Sequence, residues 1–128
     1  MTNAPKPTSG ELEILRVLWE HGRSTVRDVH QALHEKKKDL GYTTVLKLMQ
    51  IMTAKGLLRR DEEPRAHVYE ACQPAERTKQ QFAADVLQRV FEGSASDLML
   101  HALAGHTASK EEMEELRRLL DEYERKLR

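Results

Sequence analysis

Apolar side chains recur at three- and four-residue spacing along most of the chain, the rhythm that gathers them on one face of an α-helix. In SGELEILRVLWEHG, Leu12, Leu15, Val17, Leu18 and Trp19 make such a stripe, with Ser9 as the expected N-cap and Gly22 as the stop. A second helix begins after Ser24 or Thr25, turns Val26, Val29, Ala32 and Leu33 inward, and runs out in the polar tract EKKKD. Gly41 and Tyr42 read as a turn. The third helix, YTTVLKLMQIMTAKG, faces the core with Val45, Leu48, Met49 and Met52, points Thr43, Thr44, Lys47, Gln50, Ile51 and Ala54 elsewhere, and closes at Gly56.

The rhythm then changes. LLRRD and AHVYEAC are short segments rich in apolar or β-branched residues, joined by a charged turn around Pro64, which predicts a hairpin. From Pro74 a fourth helix carries Phe82, Val86, Leu87, Val90 and Phe91 and ends at Gly93. A fifth, capped by Ser94 or Ser96, carries Leu98, Met99, Ala102 and Leu103 and stops at Gly105. The sixth opens with Ser109 and Glu112 at capping-box spacing and bears Met113, Leu116, Leu119, Leu120, Tyr123 and Leu127. Three helices and a hairpin in this order predict a winged helix-turn-helix module, whose third helix enters the major groove of DNA. The expected class is mainly α with a small β-hairpin wing. A tail over residues 1–8 precedes the winged module at 9–74, and a helical dimerisation domain follows at 75–128.

The helices after Pro74 are too short to bury their apolar faces against one another, so a second copy of the chain is expected to cover them. Phe82, Val86, Val90, Phe91, Leu98, Leu103, Leu116, Leu120 and Tyr123 are the expected interface. A monomeric bundle folded back on the winged module is the alternative.

Composition narrows the possibilities. With 39% hydrophobic and 33% charged residues the chain reads as a helix-rich, well-solvated protein, without the long apolar run of a membrane span or the start of a signal peptide. A cytoplasmic protein without membrane insertion is expected. The net charge is zero, yet residues 1–74 hold 12 Lys and Arg against 10 Asp and Glu while residues 75–128 hold 9 against 11. The basic surplus therefore lies on the side of the winged module. Cys72 is the only cysteine, which excludes an internal disulfide and a cysteine zinc cluster. His30 and His34 stand four apart without the Glu of a zinc-binding HExxH, and His101 and His106 stand five apart in the expected dimer helices. No cofactor or metal is expected, and no glycine-rich phosphate loop or GxSxG elbow suggests an enzyme.

Thr43, Thr44 and Lys47 open the third helix, where a Thr methyl can meet a thymine methyl and a Lys can reach guanine or phosphate. Gln50 could pair with adenine. In and beside the wing, Arg60, Arg65 and His67 are candidate backbone or minor-groove contacts with Arg65 favoured, while Arg59 and Arg60 are left undecided between DNA and a surface ion pair.

Four segments in fixed order carry a resemblance: LEILRVLWEHGRSTVRDV, GYTTVLKLMQIMTAKGLLRR, RAHVYEA and SKEEMEELRRLL. The chain resembles the penicillinase and methicillin-resistance repressors of the BlaI/MecI/CopY type from Thr8 to about Leu120. The resemblance implies a homodimeric transcriptional repressor on an inverted-repeat operator with TACA/TGTA half-sites. It further implies a membrane sensor metalloprotease as antirepressor. Members answering to β-lactams are cut at an Asn-Phe bond in the helix matching DLMLHALAGH, where this chain has His101 and Ala102. Copper-responsive members carry a CxC cluster that the tail DEYERKLR lacks. Two other readings remain open: a winged-helix protein-interaction module without DNA binding, and a repressor gated by a metal or small ligand.

Overall fold

The computed structural model of the chain describes residues 6–61 and 67–128. Element order is α1 (Ser9–His21), α2 (Val26–Glu35), α3 (Tyr42–Lys55), β1 (Leu58–Arg60), β2 (Tyr69–Ala71), α4 (Ala75–Arg89), α5 (Ala95–Ala104) and α6 (Lys110–Lys126). Three helices followed by a hairpin make the winged helix-turn-helix arrangement expected from the pattern.

Local chemistry sets where these helices begin and end. Helix α1 is capped by Thr8 rather than by Ser9, which is its first helical residue. The Thr8 hydroxyl accepts from the Glu11 backbone N–H at 3.3 Å while the Glu11 carboxylate accepts from the Thr8 N–H at 2.9 Å, a complete capping box. Of the expected tail, Thr8 is this cap and Pro7 is buried, while residues 1–5 lie outside the described residues. Thr25 and Asp28 build the same reciprocal cap on α2. Tyr42 belongs to α3 and not to a turn, with Gly41 as N-cap. At α6 only half of the expected box forms: the Ser109 hydroxyl accepts from Glu112 N–H at 3.0 Å, but the Glu112 carboxylate turns to His106 Nε2 at 2.8 Å.

The chain divides into two compact units, residues 1–83 and 84–128. The first has a continuous core in which Ile14, Val29, Val45, Met49 and Met52 are fully buried. Ile14 lies there although the expected stripe of α1 omits it. Leu48, Ala32 and Trp19 are only partly buried at its edge. Trp19 keeps its polar end satisfied by donating its indole N–H to the Gln73 carbonyl at 2.9 Å.

Strands β1 and β2 pair antiparallel with Arg59 opposite Glu70 and Arg60 opposite Tyr69. Ser24, between α1 and α2, adds a rung: it exchanges backbone hydrogen bonds with Tyr69 at 3.0 and 2.8 Å. The wing is thereby stitched to the connection that starts α2. Its expected turn around Pro64 lies outside the described residues.

The break drawn at residue 74 falls at the start of α4, whereas the first unit runs on to Ala83. Thr78 is buried in that unit, and Ala75, Lys79 and Phe82 line a groove together with Leu12 and Trp19, so the first two turns of α4 stand beside α1. In the second unit α5 and α6 bury no residue, and Leu100, Leu120, Tyr123 and Leu127 are each more than 60% exposed. Among the described residues no helix is long and apolar enough to cross a membrane.

Candidate nucleic-acid interface

Helix α3 buries Val45, Met49 and Met52 and leaves Thr43, Thr44, Lys47, Gln50, Ile51 and Ala54 exposed. The 3.6-residue repeat makes this division: the core takes one side, and the other presents two hydroxyls, an ammonium and an amide as one polar strip. Gly41 supplies no side-chain cap, so among the described residues no side chain caps the backbone N–H groups at the α3 N-terminus. They suit an anionic oxygen. Lys47 forms no ion pair among the described residues.

Beside this strip a cleft of about 510 Å³ opens between α3, the start of α2 and the wing. Gln50, Arg60 and His67 all line it, so three residues singled out from separate parts of the sequence meet in one place. The fold adds Thr25, Arg27 and Tyr42, none of which sequence reasoning selects for DNA. Arg27 is exposed in the first turn of α2 and has no carboxylate partner among the described residues. Its signal is present in the capping box Thr25-Val-Arg-Asp28, which puts Arg27 at the mouth of a helix rather than along it.

The two wing arginines, adjacent in sequence, are separated by the register. Arg59 stands opposite Glu70 and donates to its carboxylate at 3.2 Å. Arg60, one residue on, has no such partner among the described residues and turns into the cleft. Arg23 and Asp61 form an exposed ion pair near the base of the wing. His67, two residues before β2, holds a left-handed backbone, φ 40°, which costs a non-glycine residue energy. Arg65 lies outside the described residues. Residues 1–83 hold 14 Lys and Arg against 11 Asp and Glu, a surplus of three on the unit that carries the strip.

The penicillinase repressor family matches residues 7–122 of the 128. The chain belongs to that family. It is 25% identical over 123 residues to the penicillinase repressor of Bacillus licheniformis, covering 96% of this chain and 95% of that one. To the transcriptional regulator BlaI of Mycobacterium tuberculosis it is 31% identical over 119 residues, 90% of this chain and 84% of that protein. MecI, the methicillin resistance regulatory protein of Staphylococcus aureus, shares 21% over 114 residues, 89% of this chain and 92% of that protein. Among solved structures, the monomeric form of Bacillus licheniformis BlaI in complex with the blaP half-operator is similar, with TM-score 0.50 and 25% identity. The match covers 59% of this chain and 92% of that chain. The DNA-binding domain of BlaI solved alone gives the same TM-score and identity.

The residues expected at the dimer contact and the family's cleavage position lie on α4, α5 and α6, except Val90 and Phe91, which fall in the connection after α4 because that helix ends at Arg89 and not at the expected Gly93. Val86, Val90, Leu103, Leu120 and Tyr123 are exposed, and Phe91, Leu98 and Leu116 are partly buried. Phe82 stands apart, in the first unit, where Lys6 Nζ lies 5.9 Å from its ring centroid. His101 and Ala102 are exposed on α5. The His101 Nδ1 is 2.9 Å from the Asp97 carbonyl, and its ring packs 5.7 Å from that of Phe91. Among the described residues no group of three or more His, Cys, Asp or Glu is placed to hold a metal.

Proposed function

We propose that this chain is a transcriptional repressor that binds operator DNA as a homodimer, α3 reading the major groove and the wing cleft holding the backbone. One observation carries the reading: the exposed strip Thr43, Thr44, Lys47 and Gln50 adjoins a cleft lined by Arg27 and Arg60, neither paired with a carboxylate among the described residues. Base edges give sequence preference and phosphates give affinity, and both kinds of partner are present side by side. Arg65, at the expected wing turn, adds to the backbone contacts.

A homodimer follows from α5 and α6. Neither helix buries a residue, and α6 carries exposed Leu119, Leu120 and Tyr123 with exposed Leu127 at its C-cap. A twofold dimer presents two copies of α3, which matches an inverted repeat with TACA/TGTA half-sites. The protein works in the cytoplasm, where such an operator is found.

Release from the operator proceeds without cleavage between His101 and Ala102. A sensor protease selecting Asn-Phe meets an imidazole and a methyl group there, and the aromatic side chain that would fill its pocket is missing. Mass spectrometry of induced cells tests this: fragments ending at His101 and starting at Ala102 refute it.

The DNA reading is tested by gel shift on the region upstream of the chain's own gene at two salt concentrations. Binding that prefers this duplex over a scrambled one and falls steeply with salt is expected. Equal binding to both duplexes, or none, removes the reading.

A further inference from the structure

The first turn of α1 and the last turn of α3 are joined by a charge pair that DNA contact does not use. Glu11 is 1% exposed although it is charged. Its Oε1 accepts from the Thr8 backbone N–H at 2.9 Å and from Lys55 Nζ at 3.0 Å, and its Oε2 accepts from Lys55 Nζ at 2.9 Å. Every bond is of good length, so the carboxylate is held on both oxygens. Lys55 ends the helix whose first turn carries Thr43 and Thr44. Next to Glu11, Gly10 packs so near α3 that an added Cβ would lie 3.4 Å from Leu48 Cδ1. The two helices therefore meet here in close contact.

A buried ion pair is a poor source of stability. Withdrawing the Glu11 carboxylate from water costs about as much as its attraction to the partly exposed Lys55 returns, and an apolar pair of similar volume often stabilises a fold equally or better. What the charged pair supplies is direction. Two methyl-bearing side chains tolerate a slide of an ångström or a turn of some degrees, whereas an ammonium anchored on a capped carboxylate does not. Helix α3 has 14 residues and is a stiff rod of about 21 Å, so a rotation allowed at Lys55 is transmitted to the exposed strip at its other end.

We propose that Glu11 is a positioning residue for the recognition helix: through Lys55 it sets the rotation at which Thr43, Thr44 and Lys47 meet the base edges. The inference rests on the reading of α3 as the DNA-reading element. It assigns Glu11 a part in selectivity while leaving the general attraction to phosphates to Arg27, Arg60 and their neighbours.

The test uses the full chain, with the double variant Glu11→Leu/Lys55→Met and the isosteric Glu11→Gln. Urea unfolding is followed alongside affinity for a TACA/TGTA inverted-repeat duplex and for a random duplex of equal length. All affinities are taken where circular dichroism shows each protein folded. The double variant, which also removes the acceptor of the Thr8 N–H, is expected to unfold at a somewhat lower urea concentration than the parent yet to stay folded, and to bind random DNA with the parent's affinity and salt slope while its preference for the operator falls about tenfold. Glu11→Gln, which keeps the shape and loses the charge, is expected to lower the preference in the same direction, and it decides the question if the double variant fails to fold. Folded variants that retain the parent's preference overturn the inference. So does a variant whose binding to both duplexes falls equally, because then the pair only supports the fold. A parent that does not distinguish operator from random DNA overturns the reading of α3 itself, a result separable from the other two.

Discussion

At the scale of single residues, the contacts sort by what else each side chain is already holding. Arg59 is engaged by Glu70 across the strand pair while Arg60 is unengaged among the described residues, so the two neighbours should behave differently. Arg60→Ala is expected to weaken binding to all sequences alike and to reduce the salt slope by about one, with Arg59→Ala nearer the parent, as salt-dependent gel shifts would record. Thr44→Ala and Lys47→Ala should instead erode operator preference by about 1–3 kcal/mol each, measured by competition between operator and random DNA. Acid stability belongs to this scale too. Burial by itself would raise the Glu11 carboxyl, but the Thr8 backbone N–H and the Lys55 ammonium outweigh it and hold the group below its ordinary value. Because the folded value is the lower one, the stability it contributes is complete above the ordinary carboxylate value of about 4.3 and disappears as pH falls below that toward the folded value. Urea melts down a pH series should show this loss in the parent, and a shallower one in Glu11→Gln.

At the scale of elements, the sequence marks the ends of α1 and α3 at Gly22 and Gly56, whereas α4 ends at Arg89, four residues before the expected Gly93. Gly22 ends α1 at φ 80° and ψ −159°, a conformation open essentially to glycine alone, and no atom lies within 4 Å of where a Cβ would stand to complicate the cost. Gly22→Ala is expected to destabilise the first unit by about 1–3 kcal/mol through the backbone alone. Gly105, at φ −100°, sits in a region any residue adopts, so Gly105→Ala should leave the urea midpoint nearly unchanged. Helix starts are less legible. Thr8, Ser9 and Gly10 precede Glu11 without a break, and only the three-residue spacing from Thr8 to Glu11, not the identity of Ser9, satisfies both halves of the box. The wing is legible as two short segments around a charged turn, but Ser24 pairing with Tyr69 is not. A two-residue rung at a separation of 45 positions leaves no periodic trace.

At the scale of the whole molecule, one unit has a core and the other has apolar faces without one. Sedimentation of the full chain at micromolar concentration should give a dimer, with monomer as the refuting result. The first unit also marks where a monomeric fragment should end. Residues 1–83 retain the buried Thr78 and the groove that Phe82 lines with Leu12 and Trp19, whereas a fragment ending at Pro74 removes the α4 side of that groove. The longer fragment is therefore expected to unfold at higher urea concentration. Equal midpoints would show that the first turns of α4 contribute nothing to the unit.

The order of helices, their inward faces and the polar strip of α3 are determined by the sequence itself, because a 3.6-residue repeat of apolar positions assigns a face before any partner is known. Val45, Met49 and Met52 lie inside on that ground, and Thr43, Thr44 and Lys47 outside. What required tertiary structure were the meetings of distant residues: Gln50 with Arg60, His67 and Arg27 in one cleft, Glu11 with Lys55 across 44 positions, Arg59 rather than Arg60 with Glu70. Each depends on helix packing and strand register. Those are settled by the shape of the whole core, and a shift of one residue in the hairpin would exchange the surroundings of Arg59 and Arg60 while leaving the sequence pattern untouched.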